Sequence, residues 1–128
     1  MKFTNPIVVA LLCTLLNPLP AMAADKDGNY AVWGVGAKSC YHYGQAVTAG
    51  QADIEQFRNY VMGYLTAYNA LTENTYNIGA GKNLDQIMTW MSDYCAAKQI
   101  HTFEQALAEF TSVQYPERSR QPPNRFGR

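Results

Sequence analysis

The sequence predicts an all-α domain of four helices closed by one disulfide, with an extended N-terminal lead and a mobile basic C-terminal tail. Three observations carry this. Apolar residues recur at helical spacing in separate stretches, two helix starts bear the side-chain signature of a capping box, and the body holds an even pair of cysteines, Cys40 and Cys95. No segment alternates at period two over strand length, and no internal repeat is visible.

The ends divide from the body by composition. Residues 1–23 read as a secretory signal. Lys2 is the charged start, residues 7–16 are an uncharged apolar run, Asn17-Pro18 breaks it, and Ala21-Met22-Ala23 is a small-x-small cleavage site. The run is too short to span a bilayer as a helix. Leu12 before Cys13 stands where a lipoprotein signal needs a small residue. The expected product starts at Ala24 and lies in the periplasm or outside the cell, with no stable membrane insertion. Residues 24–38 form a Gly-rich lead, in which Tyr30, Val32 and Val35 are expected to lie extended on the body with Trp33 as the main anchor. Residues 39–116 form the helical domain, and 117–128 a disordered tail. Between Ala24 and Glu117 there are five basic residues against ten acidic ones, whereas Arg118 to Arg128 holds four arginines and no acid. The tail, with Pro122-Pro123 and only Phe126 as a large apolar residue, lacks the surface to offset its ordering entropy. The acidic body argues against nucleic acid as a ligand.

The helices follow in order. Ser39 is a good N-cap for a first short helix from Cys40 towards Val47, with a turn over residues 48–51. In the second helix, Ile54, Phe57, Val61, Tyr64, Leu65, Tyr68 and Leu71 share one broad arc, and Asp53 caps it or sits in its first turn. Residues 73–82 are a polar, Gly-containing connection. Asn83 with Gln86 starts a third helix, whose stripe is Leu84, Ile87, Met88, Met91 and Cys95. Thr102 with Gln105 starts a fourth, marked by Phe103, Ala106, Leu107, Phe110 and Val113 and stopped before Pro116. In an oxidising compartment Cys40 and Cys95 are expected to bond to each other, joining the first turn of helix one to the last turn of helix three. The closed loop of about 56 residues is worth roughly 4 kcal/mol in the chain-entropy picture.

The search for chemistry is mostly exclusion. Gly34-x-Gly36 lacks a βαβ unit and a third glycine. Gly79-Ala80-Gly81-Lys82 has Tyr76 where a phosphate loop needs glycine and Asn83 where it needs Ser or Thr. Cys40, His42, Cys95 and His101 match no recurrent zinc spacing, and bonded sulfurs could not ligate, so no metal and no cofactor are expected. Asp53, Glu55, Asp93 and Glu104 read as solvated acids, and Ser39 and Ser92 have no recognisable elbow or base. No enzyme is predicted. The aromatic content points instead to binding. Tyr60, Tyr64 and Tyr68 run at i, i+4, i+8, with Tyr64 and Tyr68 assigned to the core. Trp33, Tyr60 and Trp90 are the candidate interface residues.

Trp33 shortly before Ser39-Cys40, then Asp93-Tyr94-Cys95 and a closing helix from Phe103, resembles the small periplasmic HdeA/HdeB acid-stress chaperones over roughly residues 33–113. The chain departs from them in its Gly-rich lead and arginine tail. It is also similar to the Rap1a/Tai group of secreted immunity proteins. The first resemblance implies a chaperone that exposes apolar surface at low pH to hold unfolded clients. The second implies an inhibitor bound to one secreted cell-wall-degrading toxin. Either way the partners are proteins, and a homodimer is compatible with both. After loss of the signal, protonating all ten acids moves the formal charge from −1 to +9, or to +11 with both histidines charged. Self-repulsion of that size loosens a small domain.

Overall fold

A computed structural model describes residues 24–123, so the signal segment and the last five residues lie outside the described residues. Among the described residues four α-helices form: α1 Cys40–Ala49, α2 Gln51–Leu71, α3 Leu84–Ala97 and α4 Phe103–Gln114. No strand forms among the described residues, only two isolated backbone bridges.

The caps explain where the helices begin. Ser39 accepts from the His42 N–H, and Asn83–Gln86 and Thr102–Gln105 are complete reciprocal capping boxes. Each satisfies backbone donors that the first turn leaves without intrahelical partners. The expected turn at residues 48–51 contracts to one residue. Gly50, at φ 127, ends α1 and starts α2, a backbone geometry that suits glycine alone. Asp53 therefore sits in the first turn of α2, favourably placed in the helix dipole.

The core is centred on α4. Phe103, Ala106, Leu107 and Phe110 are fully buried. Phe103, Tyr43 of α1 and Phe57 of α2 form an aromatic trio with ring centroids 4.8 to 5.2 Å apart. Edge-on packing of this kind adds to area burial. Helix α2 contributes Phe57 and Val61 in full, with Ile54, Tyr60, Tyr64 and Leu65 packed at the margin. The disulfide joins Cys40, first residue of α1, to Cys95 in the last turn of α3, with Cα atoms 4.7 Å apart. The hydroxyls of Tyr43 and Ser92 also meet, at 2.8 Å. Since 40 pairs with 95 and 43 with 92, α1 and α3 run antiparallel. Arg58 ties α2 to α3 through Asp85, at 2.8 Å.

Several expectations are corrected. Trp33 does not anchor the lead: it is 81% exposed. Residues Gly34–Ala37 form a 3-10 turn, which tucks Val35 against the core and leaves Trp33 outside it. Gly36 takes the buried place, packed so closely on the Tyr60 ring that a β-carbon added there would make the ring or the turn shift. Leu71, the last residue of α2, is 85% exposed. Val113 is also exposed; Gln114 is buried in its stead and accepts from the Lys82 ammonium at 2.8 Å. The polar connection hides one core residue, Ile78, whose N–H donates to the Asn69 side chain at 2.8 Å. Glu104, expected on the surface, is buried.

The tail begins later than Glu117. Ser119 bridges Asn77 in antiparallel pairing. The Arg118 guanidinium lies 3.7 Å over the Tyr115 ring, donates from Nε to Thr75 and from Nη1 to the Tyr115 carbonyl. Its planar fork suits this combination of stacking and donation.

Residues 24–31 belong to a separate unit. Within it Asp25 organises a turn by accepting from the N–H groups of Asp27 and Asn29, at 2.9 and 2.8 Å. The bond from Asn29, then that from Asp27, holds its carboxyl below the usual range.

Candidate functional site

The antiparallel placement of α1 and α3 leaves a groove of about 360 Å³ between them. On α1, Tyr41, Gly44 and Thr48 stand at i, i+3 and i+7, which is one helix face. On α3, Ser92 and Ala96 stand at i and i+4. These five residues line the groove, with the disulfide sulfurs' residues between the helices. Tyr41 and Val47 are apolar and half exposed at its rim. Its size is at the lower end of the range for ligand sites.

Its chemistry is neutral. No residue that lines the groove carries a charge. Two neighbouring clefts differ: one, of about 220 Å³, includes Lys38, His42 and Asp53, and the other, of about 240 Å³, includes Arg58 and Asp85. The second shares Tyr43, Val47 and Ser92 with the groove. At their common wall Ser92 donates to the Met88 carbonyl at 3.0 Å, and its hydroxyl meets that of Tyr43 at 2.8 Å. Burial raises the Tyr43 pKa, against the opposing effects of the Ser92 hydrogen bond and the Arg58 charge.

The walls are held from several sides. The backbone N–H groups of Cys40 and Tyr41, orphans of the first turn, donate to the carbonyls of His101 and Gln99 at 2.8 and 3.0 Å. His101 in turn bonds through Nδ1 to the Tyr94 hydroxyl at 2.8 Å. Burial is the larger cause of the raised Tyr94 pKa, with the charge of Glu109 second.

The three residues singled out from the sequence differ in exposure and packing. Trp33 is exposed beside the 3-10 turn, whose Gly36 rests on Tyr60. Tyr60 is half buried, with its ring 6.3 Å from Phe103, and its pKa is raised by burial first and by Glu104 second. Trp90 is half buried, stacked on Tyr94 at 5.3 Å and edge-on to Phe110 at 5.2 Å. Trp90 therefore belongs to the margin of the core, and Trp33 alone offers a freely exposed ring. Sequence reasoning missed the groove. One signal was available: Tyr41 and Val47 lie off the stripe of Cys40, Tyr43 and Ala46.

The motifs set aside on sequence grounds have structural roles. Residues 79–82 form a turn with Ala80 and Gly81 at φ 52 and 80, and Lys82 is engaged by Gln114. His42 Nδ1 meets the Ser39 hydroxyl at 2.8 Å.

No protein-family model matches the chain, and none of the curated proteins or solved structures compared with it matches either.

Proposed function

We propose that this chain is a small exported protein-binding protein that holds a partner on a preformed surface at neutral pH. The observation that supports this most directly is the groove between α1 and α3, whose two walls are joined covalently by Cys40–Cys95. A surface already fixed before binding avoids much of the ordering cost of association. The half-exposed Tyr41 and Val47 supply apolar contact at its rim. Export to the periplasm is part of the proposal and rests on the signal-like residues 1–23 and on the bonded cysteines. Among the described residues no helix is long and apolar enough to cross a membrane. An inhibitor of a secreted cell-wall-degrading toxin, as the Rap1a/Tai resemblance implies, fits this mode of binding.

A second reading, the acid-stress chaperone, is favoured by the Arg58–Asp85 pair. That pair ties α2 to α3 from the surface, with the Asp85 side chain largely exposed. The net positive charge that strong acid gives the whole chain would loosen α2 by self-repulsion while the disulfide keeps α1 tethered to α3.

A pull-down from periplasmic and competitor extracts, run at pH 7 and after a shift to about pH 2 to 3, separates the two. One stoichiometric partner at pH 7 is the expected result. No partner at pH 7 and many after the shift would replace it with the chaperone reading.

A further inference from the structure

Resting on the protein-binding reading, we propose that the α1–α3 groove is the part of the surface that receives the partner, and that its occupant is an uncharged apolar side chain with its flanking peptide group. Charge complementarity carries the choice of occupant. Charged residues make up 16% of the sequence, and both adjacent clefts contain a cation and a carboxylate, yet no residue that lines the groove is charged. A charged side chain entering it would lose hydration and gain no counter-ion. A Leu-, Met- or Phe-like side chain would meet Tyr41, Val47 and Ala96, and the amides of Gln45 and Gln99 are neutral donors and acceptors for a peptide group.

Gly44 is what keeps the space open. It lies inside α1, where glycine is less favourable than alanine, and a β-carbon built on it meets nothing within 4 Å. Gly63 of α2 shares that freedom but does not line the groove. A side chain added at Gly44 enters the occupant's place without disturbing the core, and one added at Gly63 does not.

The test is an NMR titration of the oxidised protein at pH 7. The probes are N-acetyl-leucine methylamide and its lysine and glutamate counterparts. The leucine probe should shift the amide signals of Gly44, Val47 and Ala96, and the charged probes should not. Gly44→Leu, with helicity and thermal unfolding at least equal to the parent, should weaken the leucine probe by about tenfold or more, whereas Gly63→Leu should stay within about twofold. Equal response to charged and uncharged probes, no response to any, or an unchanged response in Gly44→Leu would overturn the proposal. A partner complex from the neutral pull-down that survives Gly44→Leu would overturn the groove assignment and leave the protein-binding reading standing. Absence of any such complex for the parent protein would overturn that reading itself.

Discussion

Ser39 and Thr102, the N-caps of α1 and α4, face each other in an antiparallel backbone bridge. On either side of it Cys40 N–H donates to the His101 carbonyl and Phe103 N–H to the Lys38 carbonyl, both at 2.8 Å. Two helices that begin far apart in sequence thus start from one point, and the disulfide leaves α1 at the next residue. The first turn of α1, the buried end of α4 and the closing turn of α3 are set by this one junction.

Thr102→Ala should therefore cost about 1 kcal/mol, the usual worth of a cap, because the N–H of Gln105 loses its partner at 3.1 Å. Ser39→Ala should cost less, since its bond to the His42 N–H is long at 3.4 Å. Urea unfolding of the single and double variants should show coupling between them, as expected for residues in direct contact.

Removing the bridge tests the covalent half of the junction. Cys40→Ala with Cys95→Ala should lower stability by about 3 to 4 kcal/mol, because the sulfurs close a loop across 55 residues of separation. Reduction of the parent protein in mild urea should give a matching loss. A loss under about 1 kcal/mol in both would show that the non-covalent junction alone holds α1 to α3.

Gly36→Ala should be one of the most damaging small substitutions in the chain. The added methyl group would overlap the Tyr60 ring, and either the 3-10 turn or the ring must move. A cost of about 1 to 3 kcal/mol is expected for overpacking of this kind. Combining it with Tyr60→Leu, which frees the space, should recover part of the loss in thermal unfolding.

Alkaline titration reports on one buried and two half-buried phenols. Tyr43, Tyr60 and Tyr94 all have raised pKa values, burial being the first cause for each. The folded chain therefore holds protons that the unfolded chain has lost. Their contribution is fully present below about pH 10, the unfolded value, and is lost as pH rises through the folded values. Stability should fall above about pH 10, and Tyr43→Phe should flatten that fall. At pH 7 the same variant should cost only about 0.5 to 1.5 kcal/mol, because Ser92 keeps its bond to the Met88 carbonyl.

The helices, their caps and the bridge were legible because they depend on neighbours in sequence. Asn83 with Gln86 and Thr102 with Gln105 are local patterns, and their reciprocal bonds form as read. What was not legible depends on how the helices meet. Leu71 continues the apolar arc of α2 yet is exposed, and Val113 is exposed while Gln114 beside it is buried and accepts from Lys82 of the α2–α3 connection. Trp33 was misplaced since it is Gly36, a residue with no side chain, that takes the buried place in the 3-10 turn. The groove exists only once α1 lies antiparallel to α3, so Gly44 carries no meaning until that placement is known.

Photo-crosslinking at pH 7 tests the central claim most directly. A benzophenone side chain is placed either at Val47, on the rim of the groove, or at Met62, exposed on α2 outside it. One discrete crosslinked partner from Val47 and none from Met62 is the predicted result. Crosslinks of equal yield at both positions, or crosslinks that form only after acidification, would contradict it.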